Sequence, residues 1–179
     1  MAPKSTVKPL HEQLLAQAGH LATKERAGKP LQASLRRAIS TAYYSIFHLL
    51  IHEAVHGLAR GKGSKKLRLL LSRAFEHGEM ARACRSFASR GPLPGHIQAI
   101  YGAVVVPSDL ADVAQAFVDL QKARHDADYA VHERWSRTEA IAEVDRAKTA
   151  FKSWASIRTD PLARLFLVYL LTAGKLAGR

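Results

Sequence analysis

Cysteine is nearly missing: the 179-residue chain has one, Cys84. A single thiol cannot close an intramolecular disulfide, so a stapled secreted scaffold is excluded, and Cys84 reads as a small buried hydrophobe. Proline (7) and glycine (11) are scarce, which rules out collagen-like and low-complexity chains. Acidic residues fall short of basic ones, 15 against 27, leaving a formal net charge of +12. Such an excess attracts polyanions through phosphate contacts and counterion release, which raises RNA or DNA as a partner without establishing either. Long apolar runs are also lacking. The most apolar stretch, Leu162 to Ala173, contains Arg164 and falls short of the ~20 residues that a spanning helix needs. It predicts a buried C-terminal helix or a partner surface, and no membrane. Met1 to Lys8 is polar with no apolar signal-type segment after it, so a cytoplasmic location is expected.

Strand-type alternation of useful length is absent, and so is any internal repeat. What is present is helical spacing. Leu10, Leu14, Ala18 and Leu21 recur at steps of four, four and three. A second segment, Leu31 to about Arg60, carries Leu35, Ile39, Ala42, Tyr43, Ile46, Leu49 and Leu50 as one wide stripe. Ser64 is positioned to cap a helix over Lys65 to Glu76, and a short helix around Glu79 to Ser89 follows. Residues 96 to 107 are ambiguous, because Val104-Val105-Val106 favours extended backbone but has no second strand to pair with. Ser108 or Asp109 is expected to cap a helix bearing Leu110, Val113, Phe117 and Leu120. Ser136 with Glu139 fits the capping box of a last long helix with Ile141, Val144, Ala147, Phe151 and Trp154. The expected fold is therefore all-α: an antiparallel up-and-down helical bundle with extra short helices. It forms one domain over 1–179, with its core at about 8–158 and the apolar helix at 161–173.

Three constellations carry candidate chemistry. Arg37, Ser40, Tyr44 and His48 share one face of the second helix, suited either to phosphate contact or to a buried hydrogen-bond network. In the segment Arg124 to His132, Arg124 and Asp128 are four apart and placed to form an ion pair on one turn, while His125, Tyr129 and His132 are expected on one face. A cation beside titratable groups suits acid–base chemistry on a phosphodiester: Arg stabilises the charged transition state and His moves protons near neutral pH. Their plain alternative is a solvated, salt-bridged helix end.

The third constellation, His52-Glu53-Ala54-Val55-His56, matches the H-E-x-x-H zinc pattern. The longer continuation fails, since its Gly falls at Ala59 and its third His at Lys62. A third ligand has to be recruited from Glu76, His77 or Glu79, and the sheet that normally flanks such a helix is not expected here. His52 and His56 are accordingly weak metal candidates, and no cofactor is expected. The basic run Arg60 to Arg68 lacks the phosphate-loop pattern and any preceding strand, and reads as a solvated linker, with phosphate-backbone contact as the sharper alternative.

Arg37-Ala38, Ser40, Ala42-Tyr43-Tyr44 and Phe47-His48, joined by Arg124, Ala127, Asp128 and Tyr129 in the form R-x-x-A-D-Y, resemble the HEPN superfamily, specifically its small prokaryotic members. The resemblance covers roughly residues 8 to 158. It implies a helical bundle, usually a cytoplasmic homodimer, often the toxin component of a toxin–antitoxin or phage-defence system. It further implies a metal-independent RNA endonuclease, or a degenerate RNA-binding member, whose catalytic motif is completed by both chains. The alternative is a non-enzymatic module pairing with a nucleotidyltransferase-like antitoxin. By this resemblance Arg124 occupies the family's arginine position and His125 the polar position after it. The family histidine would fall at 129 to 131, which reads Tyr129-Ala130-Val131, with His132 one place beyond. Asp128 and Tyr129 complete the candidate catalytic set, and Arg37, Tyr44 and His48 the candidate RNA-binding set.

Overall fold

Every regular element among the described residues of the chain is a helix, as its spacing predicts. The computed structural model describes residues 7–25 and 28–176. The helices are α1 (Leu10–Ala22), α2 (Gln32–Leu58), α3 (Lys65–Ser72), α4 (His77–Ala88), α5 (Gly95–Tyr101), α6 (Ser108–Tyr129), α7 (Arg137–Ile157) and α8 (Pro161–Leu176), with a single 3₁₀ turn at Lys62–Ser64. Helix α2 packs against α1, α6 and α7; α6 also packs against α4 and α7; and α8 closes the far side of α4.

The reason α2 is central lies in its small residues. The expected single stripe is instead burial around most of the helix: Ala38, Ser40, Thr41, Ala42 and Ser45 are buried along with Leu35, Ile39, Tyr43, Ile46 and Leu50. Small side chains let neighbouring helices approach closely, and the hydroxyl of buried Ser45 is satisfied by donating to the Ala42 carbonyl at 2.7 Å. Burial of the large members alone contributes about 1.5–3 kcal/mol each. In α1 the stripe is turned from the expected one. Leu10 is 54% exposed whereas His11 is buried, because the His11 ring packs between His52 and Phe151 at centroid distances of 4.9 and 5.8 Å.

The helix expected over Lys65 to Glu76 stops at Ser72, because Phe75 turns inward to the core and Glu76 adopts extended backbone ahead of α4. Ser64 precedes α3 without a side-chain cap bond. The ambiguous stretch resolves into the short α5, ended by Gly102 at φ 76°, followed by Val104–Val106 without strand partners. Pro107, not Ser108 or Asp109, is the cap residue of α6; Asp109 lies in its first turn and accepts a hydrogen bond from Ser156 of α7. The capping box of α7 forms in full: Ser136 Oγ accepts from the Glu139 N–H at 3.2 Å, and Glu139 accepts from the Ser136 N–H at 2.7 Å.

The apolar C-terminal segment is a buried helix. Phe166 of α8 meets Phe87 of α4 edge-on at 5.0 Å, beside fully buried Cys84, whose thiol burial pushes well above its ordinary range. Among the described residues, no helix is long and apolar enough to cross a membrane.

Candidate functional site

The two segments singled out by spacing, about 85 residues apart in sequence, meet where the middle of α2 lies against the last turns of α6. Ser40 donates to Asp128 Oδ1, and Arg124 Nη2 donates to the Tyr44 hydroxyl at 3.1 Å. Arg124 Nε lies 2.8 Å from Asp128 Oδ2, but its N–H is not aimed at that oxygen, so the contact is an ion pair without an aligned hydrogen bond. The guanidinium carbon sits 5.7 Å from the ring centres of both Tyr44 and Tyr129, within cation–π range. Burial works against the charge on Arg124, yet Tyr44, Asp128 and Tyr129 together outweigh it and hold the group protonated.

A third element completes the cluster. His77, the first residue of α4, shares a 2.6 Å hydrogen bond between Nδ1 and the Tyr43 hydroxyl. Its ring stacks on Phe47 at 4.1 Å and 25°. Burial, then the nearby Arg124 charge, lowers its pKa, so the imidazole is neutral at pH 7. His48 is likewise held low, first by burial and then by His11 and His77. Burial drives the Tyr43 phenol far above its ordinary value, keeping it protonated. Two neutral imidazoles beside a fixed guanidinium can accept a proton while a neighbouring oxyanion is stabilised.

The end of α6 is fastened from α2. The Arg36 guanidinium donates to the carbonyls of Ala127 at 2.6 Å and Ala130 at 2.9 Å, and to that of Glu133. Ala127 is among the last carbonyls of α6, which a helix terminus leaves unpaired, whereas Ala130 and Glu133 belong to the turn that follows, where the Ala130 carbonyl also accepts the Glu133 N–H; a cation there complements the helix dipole.

Of the expected residues, then, Ser40, Tyr44, Arg124, Asp128 and Tyr129 come together, with His48 adjacent to Tyr44 and Phe47. Arg37 is exposed on α2 and takes part in none of these bonds; the neighbouring Arg36 is the one turned to α6. His125 packs its ring 4.9 Å from Tyr129, as expected of a shared face. His132 does not share that face: α6 ends at Tyr129, and His132 is exposed in the following turn. Helical offsets cease to apply past a helix end, so the three-residue step to His132 carries no alignment. His77 and Arg36 went unrecognised as parts of this site. His77 comes from a third helix with no spacing relation to the other two.

The H-E-x-x-H residues lie further along α2, near α1. The rings of His52 and His56 are 4.0 Å apart, and His56 Nδ1–H donates to the His52 carbonyl at 2.8 Å. Glu79, one of the candidate third ligands, pairs with Arg82, and His77 is taken by Tyr43. Among the described residues, no group of three His, Cys, Asp or Glu side chains is placed to hold a metal ion. Comparison of the chain with family models, with curated proteins and with solved structures finds no match.

Proposed function

We propose that the chain is a HEPN-type protein acting on RNA: a metal-independent endoribonuclease centred on Arg124 and completed by a second copy of the chain. The observation that carries this reading is the cluster Ser40–Asp128–Arg124–Tyr44, in which two distant segments converge on one held guanidinium. The net charge of +12 supports a polyanionic substrate. In the proposed reaction the ribose 2′-hydroxyl attacks the adjacent phosphorus and loses its proton to a neutral imidazole, with His77 and His48 the candidates within this cluster. The 5′-oxygen leaves and takes a proton from water, giving a 2′,3′-cyclic phosphate. Arg124 stabilises the charge gathered on the non-bridging oxygens. DNA lacks the attacking group and is not cut. A toxin or phage-defence role, in the cytoplasm, belongs to the same reading.

The test is cleavage of a mixed RNA in excess EDTA, comparing native protein with Arg124→Ala. Cutting by the native protein, reduced about 10²–10³-fold in the variant, is the expected result. If neither cuts, the nuclease reading is overturned. The reading to pursue is then the second one, a binding module pairing with a nucleotidyltransferase-like antitoxin. That second reading is favoured by the place of His132, beyond the end of α6 and off the site.

A further inference from the structure

An open cleft of about 340 Å³ adjoins the cluster, lined by Arg85 of α4 and by Val118, Gln121, Lys122, Arg124 and His125 of α6. Its lining holds two lysine or arginine side chains besides Arg124, a histidine, and no carboxylate. Neither Arg85 nor Lys122 forms an ion pair among the described residues, and both are exposed. The surface is not uniformly cationic. The larger groove between α6 and α7 carries Asp112, Asp119 and Asp145 beside Arg146, which is itself paired with Asp119 and Glu143. Of the two grooves along α6, the one that also holds Arg124 is the cationic one.

At the end of the same helix lies an aromatic shelf. Tyr129 is 62% exposed, with the His125 ring tilted against it at 4.9 Å. Arg124 contributes both to the cleft and to the contact with the Tyr129 ring. Unpaired cations beside exposed rings are what a single strand needs. The cations follow the backbone, and the rings stack on a base face that a duplex keeps covered.

We propose that this cleft is a backbone-phosphate subsite for single-stranded RNA, in which Arg85 and Lys122 hold a phosphate neighbouring the one at Arg124 while Tyr129 stacks on a base. The identity of the polymer rests on the RNA reading above; the cleft and its charges do not. A nucleotide held there fixes the register of the strand, so that a chosen ribose and its phosphate come to Arg124.

The test is binding of a fluorescent 2′-O-methyl RNA decamer, which cannot be cut at its blocked hydroxyls, followed by anisotropy over a salt series. Arg85→Ala/Lys122→Ala is compared with Lys152→Ala/Arg158→Ala, which removes the same charge from exposed positions on and just beyond α7. The cleft variant is expected to bind at least about 10-fold more weakly at ~0.1 M salt. Its log–log salt slope should be shallower by about 1.4, from two lost contacts on a single strand. The control should change no more than about twofold. Equal losses in the two variants would overturn the subsite. So would displacement of the decamer by inorganic phosphate at the same phosphate concentration, which would make the cleft a site for small anions. Because binding is read apart from cutting, the subsite stands on a selective loss even in a protein that cleaves nothing. It falls on an unselective one even where Arg124→Ala abolishes cleavage.

Discussion

The Tyr43 hydroxyl and His77 Nδ1 share a hydrogen bond of 2.6 Å, tying the middle of α2 to the first residue of α4. Tyr43 is only 1% exposed, whereas His77 is exposed, so the bond anchors a surface imidazole to the core. Tyr43→Phe keeps the packing and removes the bond. Its expected cost is about 1 kcal/mol of stability, measured by urea unfolding. If RNA is cut, the acid limb of the pH–rate profile should shift as well, because His77 loses the group that orients it. An unshifted profile would remove His77 from the proton transfer.

Arg36 and Arg37 are neighbours with opposite expectations. Arg36→Ala removes the side-chain donor shared by the carbonyls of Ala127, Ala130 and Glu133, of which Ala130 keeps the Glu133 N–H, and should destabilise the protein by about 2 kcal/mol. Arg37→Ala should fall within about 0.5 kcal/mol of native. Thermal or urea midpoints of the two variants decide this, and equal values would contradict the fastening of α6.

Acid should unfold the protein in a window set by its histidines. His11, His48, His52 and His77 all have pKa values lowered from 6.5, chiefly by burial. For His11, the neighbouring carboxylates Glu12 and Glu53 oppose that shift, and for His52 Glu53 opposes it while His56, His11 and Arg68 add to it. Below about 6.5 the unfolded chain binds protons that the folded chain does not, so stability falls as pH falls from 6.5 toward the lower folded values. Urea midpoints at pH 7.5, 6.5 and 5.5 should decline across the last interval. The decline should be smaller in His52→Gln, which removes one of the four groups.

Light scattering should give a mass near twice 19.7 kDa at micromolar concentration, if two copies complete the site. A monomer would leave the proposed centre without its second half.

Much of the helical plan could be read from spacing: α2, α6 and α7 follow apolar steps of three and four, and the Ser136–Glu139 box marks the start of α7. What spacing could not supply was rotation and encounter. The α1 stripe is turned because His11 finds two aromatic neighbours, and no single-helix pattern contains that information. The break after Ser72 depends on Phe75 reaching the core formed by other helices. Within the site, the i,i+4 relation of Arg124 and Asp128 and the shared face of Ser40 and Tyr44 were legible, since each pair lies on one helix. Which of two adjacent arginines turns toward α6 depends on how the helices dock. That His77 arrives from α4 depends on the tertiary fold alone.

The position of Asp128 bears on which ligands Arg124 prefers. The guanidinium already has an anionic neighbour at 2.8 Å, so an incoming singly charged diester shares it rather than claims it. A species gathering more negative charge on its oxygens competes better for the same group. In the proposed reaction, an arginine kept in this company would bind the resting diester weakly and favour the phosphate once it has gathered more charge on its oxygens.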